Sequence, residues 1–189
     1  MSHFAPMQRR INTGVLIVGA GPVGLSLAMD LARRGVLVTL VEMRAAGEPP
    51  SVRCNHVSAR SMETFRRLGI AGVVRDAGLP ADYPNDVAFR TTAIGIEMAR
   101  IPIPCRAERY CAKDGPDTWW PTPEPPHRLN QIYLEPVLFA CAAATPGVRI
   151  LNRTRVSGFE QDENGVLAIA DDLDSNESFQ ILARYLIGW

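Results

Sequence analysis

The sequence predicts an α/β fold opening on a parallel sheet, and three observations predict it. An apolar, β-branched run, Val15-Leu16-Ile17-Val18, leads straight into the glycine-rich Gly19-Ala20-Gly21-Pro22-Val23-Gly24. Helical periodicity follows in Val23, Leu27, Ala28 and Leu31. A second apolar run over residues 36–41 then closes on the acid Glu42. Short continuous apolar runs mark strands buried on both faces, the environment of a parallel sheet. Residues 14–42 therefore read as one β-α-β unit, right-handed if its strands are parallel.

The elements follow in order. Residues 1–12 are polar and unpatterned and read as a flexible leader. Pro22 suits the first turn of a helix, where its missing N–H costs nothing. Gly35, after Arg33-Arg34, supplies the helix stop. A second helix is expected from Ser58 to Leu68, with Met62, Phe65 and Leu68 on one face and Gly69 at its end. Residues 80–128 are irregular and proline-rich, with strands expected at 86–91 and 94–101. Within them, Pro121-Thr122-Pro123-Glu124-Pro125-Pro126 excludes helix and central strand and reads as surface loop. Trp119-Trp120 either line a pocket or pack against that loop. A helix resumes from Gln131 to Ala144. Strands are then expected near 153–160, 165–170 and 178–183, the first two joined by Asn164-Gly165, a tight-hairpin signal. Residues 184–188 read as a further central strand.

Bulk properties remove several functions. The chain has 189 residues, 47% of them hydrophobic, enough for one good-sized domain or a domain with a small appendage. Lys plus Arg equals Asp plus Glu at 20 each, so no net field draws in nucleic acid or anionic lipid. Arg9-Arg10 before the apolar residues 15–25 resembles a secretion leader. That run is too short to span a bilayer and is broken by Gly19, Gly21, Pro22 and Gly24. Cys54, Cys105, Cys111 and Cys141 lie far apart with no Cys-x-x-Cys pair, so reduced thiols in a cytoplasmic protein are expected rather than a disulfide or metal. The histidines make no ligand spacing, and His56 and His127 read as loop or helix-cap residues.

The glycine run has the form G-x-G-x-x-G and lies between strand and helix, the context such a motif requires. Gly19 permits the sharp turn, Gly21 lets backbone approach a diphosphate, and Gly24 lets the helix lie close to the strand. Free N–H groups and the helix macrodipole favour the diphosphate charge. Ala20, Pro22 and Val23 complete that turn. At the end of the second strand, Glu42 is placed to accept hydrogen bonds from ribose hydroxyls and to repel a 2′-phosphate, which argues for FAD or NAD over NADP. The unit alone does not separate FAD from NAD.

Three further stretches carry a resemblance. They are Arg53-Cys54-Asn55-His56 with Ser58-Ala59-Arg60-Ser61-Met62-Glu63 and Leu68-Gly69; Leu129-Asn130-Gln131-Ile132-Tyr133-Leu134-Glu135-Pro136-Val137-Leu138; and Ala183-Arg184-Tyr185-Leu186-Ile187-Gly188. In this order and spacing the chain resembles the FAD-dependent aromatic hydroxylases, which include phenol, chlorophenol and hydroxyphenylpropionate monooxygenases. The resemblance implies a Rossmann-like FAD/NAD(P)-binding parallel sheet with a β-meander crossover and a partial substrate-side insertion at 80–128, within a domain spanning 13–189. It implies FAD as cofactor, NADH or NADPH as co-substrate, and a small aromatic substrate. It further implies that Arg53 contacts the cofactor and that Gln131, at a helix start, either hydrogen-bonds the cofactor or caps its helix; Arg44, just after the ribose acid, either holds the adenine end or stays solvated. The relatives continue past Tyr-Leu-Ile-Gly with a small residue and Asp-Gly, whereas here Trp189 follows Gly188. The domain is thus expected to be incomplete at its C-terminus, no catalytic residue is assigned, and little turnover is expected of these residues alone. A non-catalytic remnant that at most binds nucleotide, or a flavin dehydrogenase or oxidase sharing this N-terminal unit, are the alternatives.

Overall fold

The computed structural model of the chain describes residues 9–50, 52–116 and 118–188. Residues 1–8 of the expected leader and Trp189 lie outside them. The chain divides into two compact units, one made of residues up to Pro50 together with those from Glu135 onward, the other of residues 51–134. The second unit is therefore wider than an insertion at 80–128.

The first unit opens with β1 (Arg10–Val18), α1 (Pro22–Arg33) and β2 (Val38–Val41). β1 begins earlier than the apolar run suggests: Arg10, Ile11 and Asn12 already pair with Gln180, Ile181 and Leu182, so they belong to the sheet and not to a leader. Gly35 ends α1 with φ +81°, and its N–H donates to the Ala32 carbonyl. The face that α1 buries carries Gly24, Leu25, Ala28 and Met29. Val23 is 61% exposed, one position off the stripe read from periodicity. The shift follows from Gly24, whose missing side chain makes its side of the helix the one of closest approach.

The second unit contains β3 (His56–Val57), α2 (Ala59–Arg67), α3 (Ala71–Asp76), β4 (Val87–Arg90), β5 (Glu97–Ile101), β6 (His127–Arg128) and the start of α4 (Gln131–Ala143). The Ser58 hydroxyl caps α2 by accepting the Ser61 N–H, and Met62 and Phe65 are its buried stripe. α3 and the two-residue β3–β6 bridge have no counterpart in the sequence reading. β4 and β5 form an exposed hairpin. His56 and His127 lie in β3 and β6. The proline segment is not all surface: Pro125 and Pro126 are buried, and the Arg75 guanidinium donates to the Pro125 carbonyl at 2.9 Å.

After α4 the first unit resumes with β7 (Val148–Leu151), β8 (Thr154–Asp162), β9 (Gly165–Asp172) and β10 (Glu177–Ile187). The six strands lie in the order β7-β2-β1-β10-β9-β8. β7, β2, β1 and β10 run parallel to their neighbours, while β8, β9 and β10 form an antiparallel meander. The expected strands at 178–183 and 184–188 are one strand, central in the sheet. Its far end is not buried as a central strand was expected to be: Tyr185 is 57% exposed. The β8–β9 turn falls on Glu163-Asn164, with Asp162 facing Gly165 and its carboxylate accepting the Asn164 and Gly165 N–H groups. Period-two alternation sends Leu16 into a cluster with Ile11, Val41, Ala168, Ala170, Phe179, Ile181 and Ala183. Each large apolar side chain fully buried there contributes about 1.5–3 kcal/mol.

Candidate dinucleotide site

The turn between β1 and α1 is built from backbone alone. Gly19 has φ +106°, a conformation that side-chain-bearing residues rarely adopt, and its N–H donates to the Val41 carbonyl at 2.8 Å. Gly21 stands at the N-cap of α1 with extended backbone and offers no side-chain cap, with Pro22 directly after it. A methyl group added at Gly19 or Gly21 would meet nothing within 4 Å, so the front of the turn is open. At Gly24 a methyl carbon would fall 2.1 Å from the Gly19 carbonyl oxygen and 3.4 Å from Ile17. Only glycine lets α1 start this close to β1. Ala20 is buried under the turn, and Val23 faces out.

Glu42 follows β2, and its carboxylate reaches back to this turn. One oxygen accepts the Ala20 N–H at 2.8 Å, and the other accepts the Arg44 backbone N–H at 3.0 Å. The Arg44 guanidinium adds bonds of 3.2 and 3.3 Å, one to each oxygen. These four donors fill the roughly four lone-pair positions a carboxylate offers. Burial pushes the Glu42 carboxyl up, but the bonds from Arg44 and Ala20 together with the Arg44 charge outweigh it, and the net shift is downward. Glu42 is therefore ionised at neutral pH. Arg44 also donates to Glu135 of α4 at 3.1 Å. Its hydrogen bond to Glu42, opposed by burial and helped by both carboxylate charges, holds the guanidinium more firmly protonated than usual.

Beside this network lies a cavity of about 350 Å³ lined by Ala20, Glu42, Arg44, Glu135, Phe139 and Asn152, among others. Asn152 fixes the loop after β2 by donating its amide to the Arg44 carbonyl at 3.1 Å. Sequence reasoning missed Glu135, Phe139 and Asn152. Glu135 lies in a stretch quoted for its resemblance, but nothing local shows that it faces Arg44, 91 positions earlier.

The structure thus brings together Gly19, Ala20, Gly21, Pro22, Gly24, Glu42 and Arg44 in the first unit. Arg53 and Gln131 belong to the second. Arg53 is exposed. Gln131 is half-buried at the first position of α4, and its N–H donates to the Cys54 carbonyl at 3.1 Å. The cap of that helix is Asn130, whose side-chain oxygen accepts the Ile132 N–H. Among the described residues no group of three or more His, Cys, Asp or Glu is placed to hold a metal, and no helix is long and apolar enough to cross a membrane.

A parallel β-α-β with a backbone-only turn and an acid at the second strand's end defines a dinucleotide-binding protein. The comparisons narrow the class. The FAD binding domain family matches residues 12–189, and the chain belongs to that family. It is 32% identical over 182 residues to 2,4-dichlorophenol 6-monooxygenase of Cupriavidus pinatubonensis, covering 96% of this chain and 29% of that protein. Against tetracenomycin A2 monooxygenase-dioxygenase of Streptomyces glaucescens it is 32% identical, over 92% of this chain and 31% of the relative. The substrate-free form of the rebeccamycin biosynthetic enzyme superposes with a TM-score of 0.81 at 36% identity, over 96% of this chain and 33% of that one. The chain therefore spans about a third of the length of the relatives it matches. The mixed sheet, parallel on one side and a meander on the other, is the architecture expected from the sequence.

Proposed function

We propose that these residues form the FAD-binding portion of an NAD(P)H-dependent monooxygenase that hydroxylates a phenolic or related aromatic compound. The observation that carries the reading is the open turn at Gly19 and Gly21 with the ionised Glu42 hydrogen-bonded to its Ala20 N–H. The turn's backbone amides and the start of α1 hold the diphosphate. Glu42 takes the ribose hydroxyls. Its lone pairs are already filled, so Arg44 must release it and remain on Glu135, beside the cavity that receives the adenine. FAD bound there supplies the redox and oxygen chemistry, while the protein binds, orients and shields it. Arg53 and Gln131 stay in the proposal on the family resemblance alone. The names of the relatives support a chlorinated phenol or a polycyclic aromatic as the substrate class.

Titration of the purified chain with FAD, followed by flavin fluorescence, tests the site. A charge-assisted hydrogen bond is worth roughly 1.5–3 kcal/mol, so Glu42→Ala should weaken binding about 10- to 100-fold. Equal affinity in wild type and variant would remove Glu42 from the site. Phenol-stimulated NAD(P)H consumption by the 189-residue chain is expected to be negligible, because it spans a third of its relatives and carries no assigned catalytic residue. Stimulation by an alcohol or an amine would instead assign the chain to the dehydrogenases or oxidases.

A further inference from the structure

The second unit holds a polar cluster that the nucleotide site does not use. His127 of β6 is 4% exposed. Its ring hydrogen-bonds the Val74 backbone of α3. Its Nε2 has no hydrogen-bond partner among the described residues, and neither has the buried Nε of Arg106 or of Arg128. All three side chains line one cavity of about 10 Å³, together with Arg75 and Arg109. Buried polar atoms left unmet are destabilising, so three around one cavity point to something that meets them together.

Size restricts that partner to a single water-sized or monatomic species. Chemistry restricts it further. The bond to Val74 takes Nδ1 as donor, so neutral His127 presents Nε2 as an acceptor. Burial, then the charges of Arg75, Arg106 and Arg109, push its pKa down to about 4. At neutral pH the cavity therefore offers two N–H donors and one acceptor, a set that a water satisfies by accepting two bonds and donating one. Once the imidazole is protonated, all three groups are donors, and only an anion satisfies them.

We propose that this cavity is a binding site for one monatomic anion of halide size, held by Arg106, Arg128 and His127 and filled when His127 takes up a proton. Proton and anion then bind as a pair, and affinity rises by up to tenfold per pH unit as pH falls towards the titration of the anion-free imidazole. The charged and titratable groups facing His127 are Arg75 with Glu124 (2.6 Å apart), Arg106 with Asp76 (3.6 Å apart), Arg109, Arg128 and Tyr83. The variant His127→Asn isolates the imidazole from them, since its amide can keep the bond to Val74 while Nε2 is deleted.

The experiment is the thermal midpoint of the whole chain in sodium chloride against sodium gluconate, whose anion is too large to enter, at about 0.2 M and at about pH 5 and pH 7.5. Chloride should raise the midpoint by about 3 °C at the lower pH, not at the higher, and not in His127→Asn. Chloride should also move the His127 titration upward, read by NMR of the labelled imidazole, a readout that stands even if the variant fails to fold. Equal midpoints and equal titrations in the two salts would mean a water only and would overturn the proposal. An equal chloride effect at both pH values would overturn the proton coupling, and an effect surviving in His127→Asn would place the anion elsewhere.

Discussion

In the first unit Arg44 lies between two carboxylates, whereas in the second Arg75, Arg106 and Arg109 surround an imidazole. Both arrangements bury guanidinium charge beside a titratable group, and they act in opposite senses. Around Glu42 the hydrogen bonds outweigh burial and the carboxyl stays ionised. Around His127 burial and like charge act together, and the ring stays neutral. The difference is one of partnership: a buried charge persists where donors and acceptors match in number, and a buried base gives up its proton where they do not.

Five substitutions break or sharpen that contrast. The largest effect belongs to the backbone that supports the matched cluster. Gly24→Ala forces a carbon to 2.1 Å from the Gly19 oxygen and should cost roughly 3 kcal/mol or more in denaturant titrations. Gly21→Ala, facing open space, should stay within about 1 kcal/mol. Next comes the pH response of the mismatched cluster. The folded pKa of His127 lies below its ordinary value of 6.5, so the unfolded chain binds more protons between pH 6.5 and about 4. Stability is fully present above that window and falls on acidification, on the order of 2–3 kcal/mol across it. His127→Asn should flatten that part of the profile in gluconate buffer, and an unchanged slope would show that other groups produce it.

Arg44→Ala should destabilise by about 2 kcal/mol, because it removes the guanidinium that bridges Glu42 and Glu135. No change in the urea midpoint would mean that the remaining partners of Glu135 suffice without Arg44. The smallest effect is expected on the exposed hairpin. Glu97 is held near pKa 2, first by its hydrogen bond to Arg100 and then by Arg90. Solvent screens such pairs, so Glu97→Ala should leave the thermal midpoint unchanged. A measurable loss there would show that partnership stabilises without burial, and the contrast would not be confined to buried charge.

Legibility in sequence follows the distance over which each feature is built. The β-α-β unit, its glycine turn and Glu42 occupy consecutive residues, and each signal there is local, so their placement could be read directly. The meander was readable for the same reason, although β10 was divided because its exposed end breaks the apolar run. In the second unit α2 and the β4–β5 hairpin are legible for the same reason, but the contacts that join them are not. The unit's defining bridge pairs His56 with Arg128 and Val57 with His127, and two residues carry no periodicity. Pro125 is buried because Arg75, 50 positions earlier, grips its carbonyl, a contact that composition cannot announce. At the candidate nucleotide site the same rule separates Glu42, whose place beside the glycine turn is legible locally, from Glu135 and Asn152, which meet Arg44 from far along the chain.

The parallel pairing of β1 with β10 sets the order of assembly. Arg10 finds its partner only at Gln180, so a nascent chain carries β1 with one bare edge until nearly all of these residues have been made. The β1-α1-β2 unit and the β8-β9-β10 meander can each form from near neighbours, whereas β7 reaches β2, and β10 reaches β1, only by long-range closure. Such long-range closures are slow, and an unpaired apolar edge invites other strands. Folding yield in the cell should therefore depend on chaperones that shield β1 during synthesis.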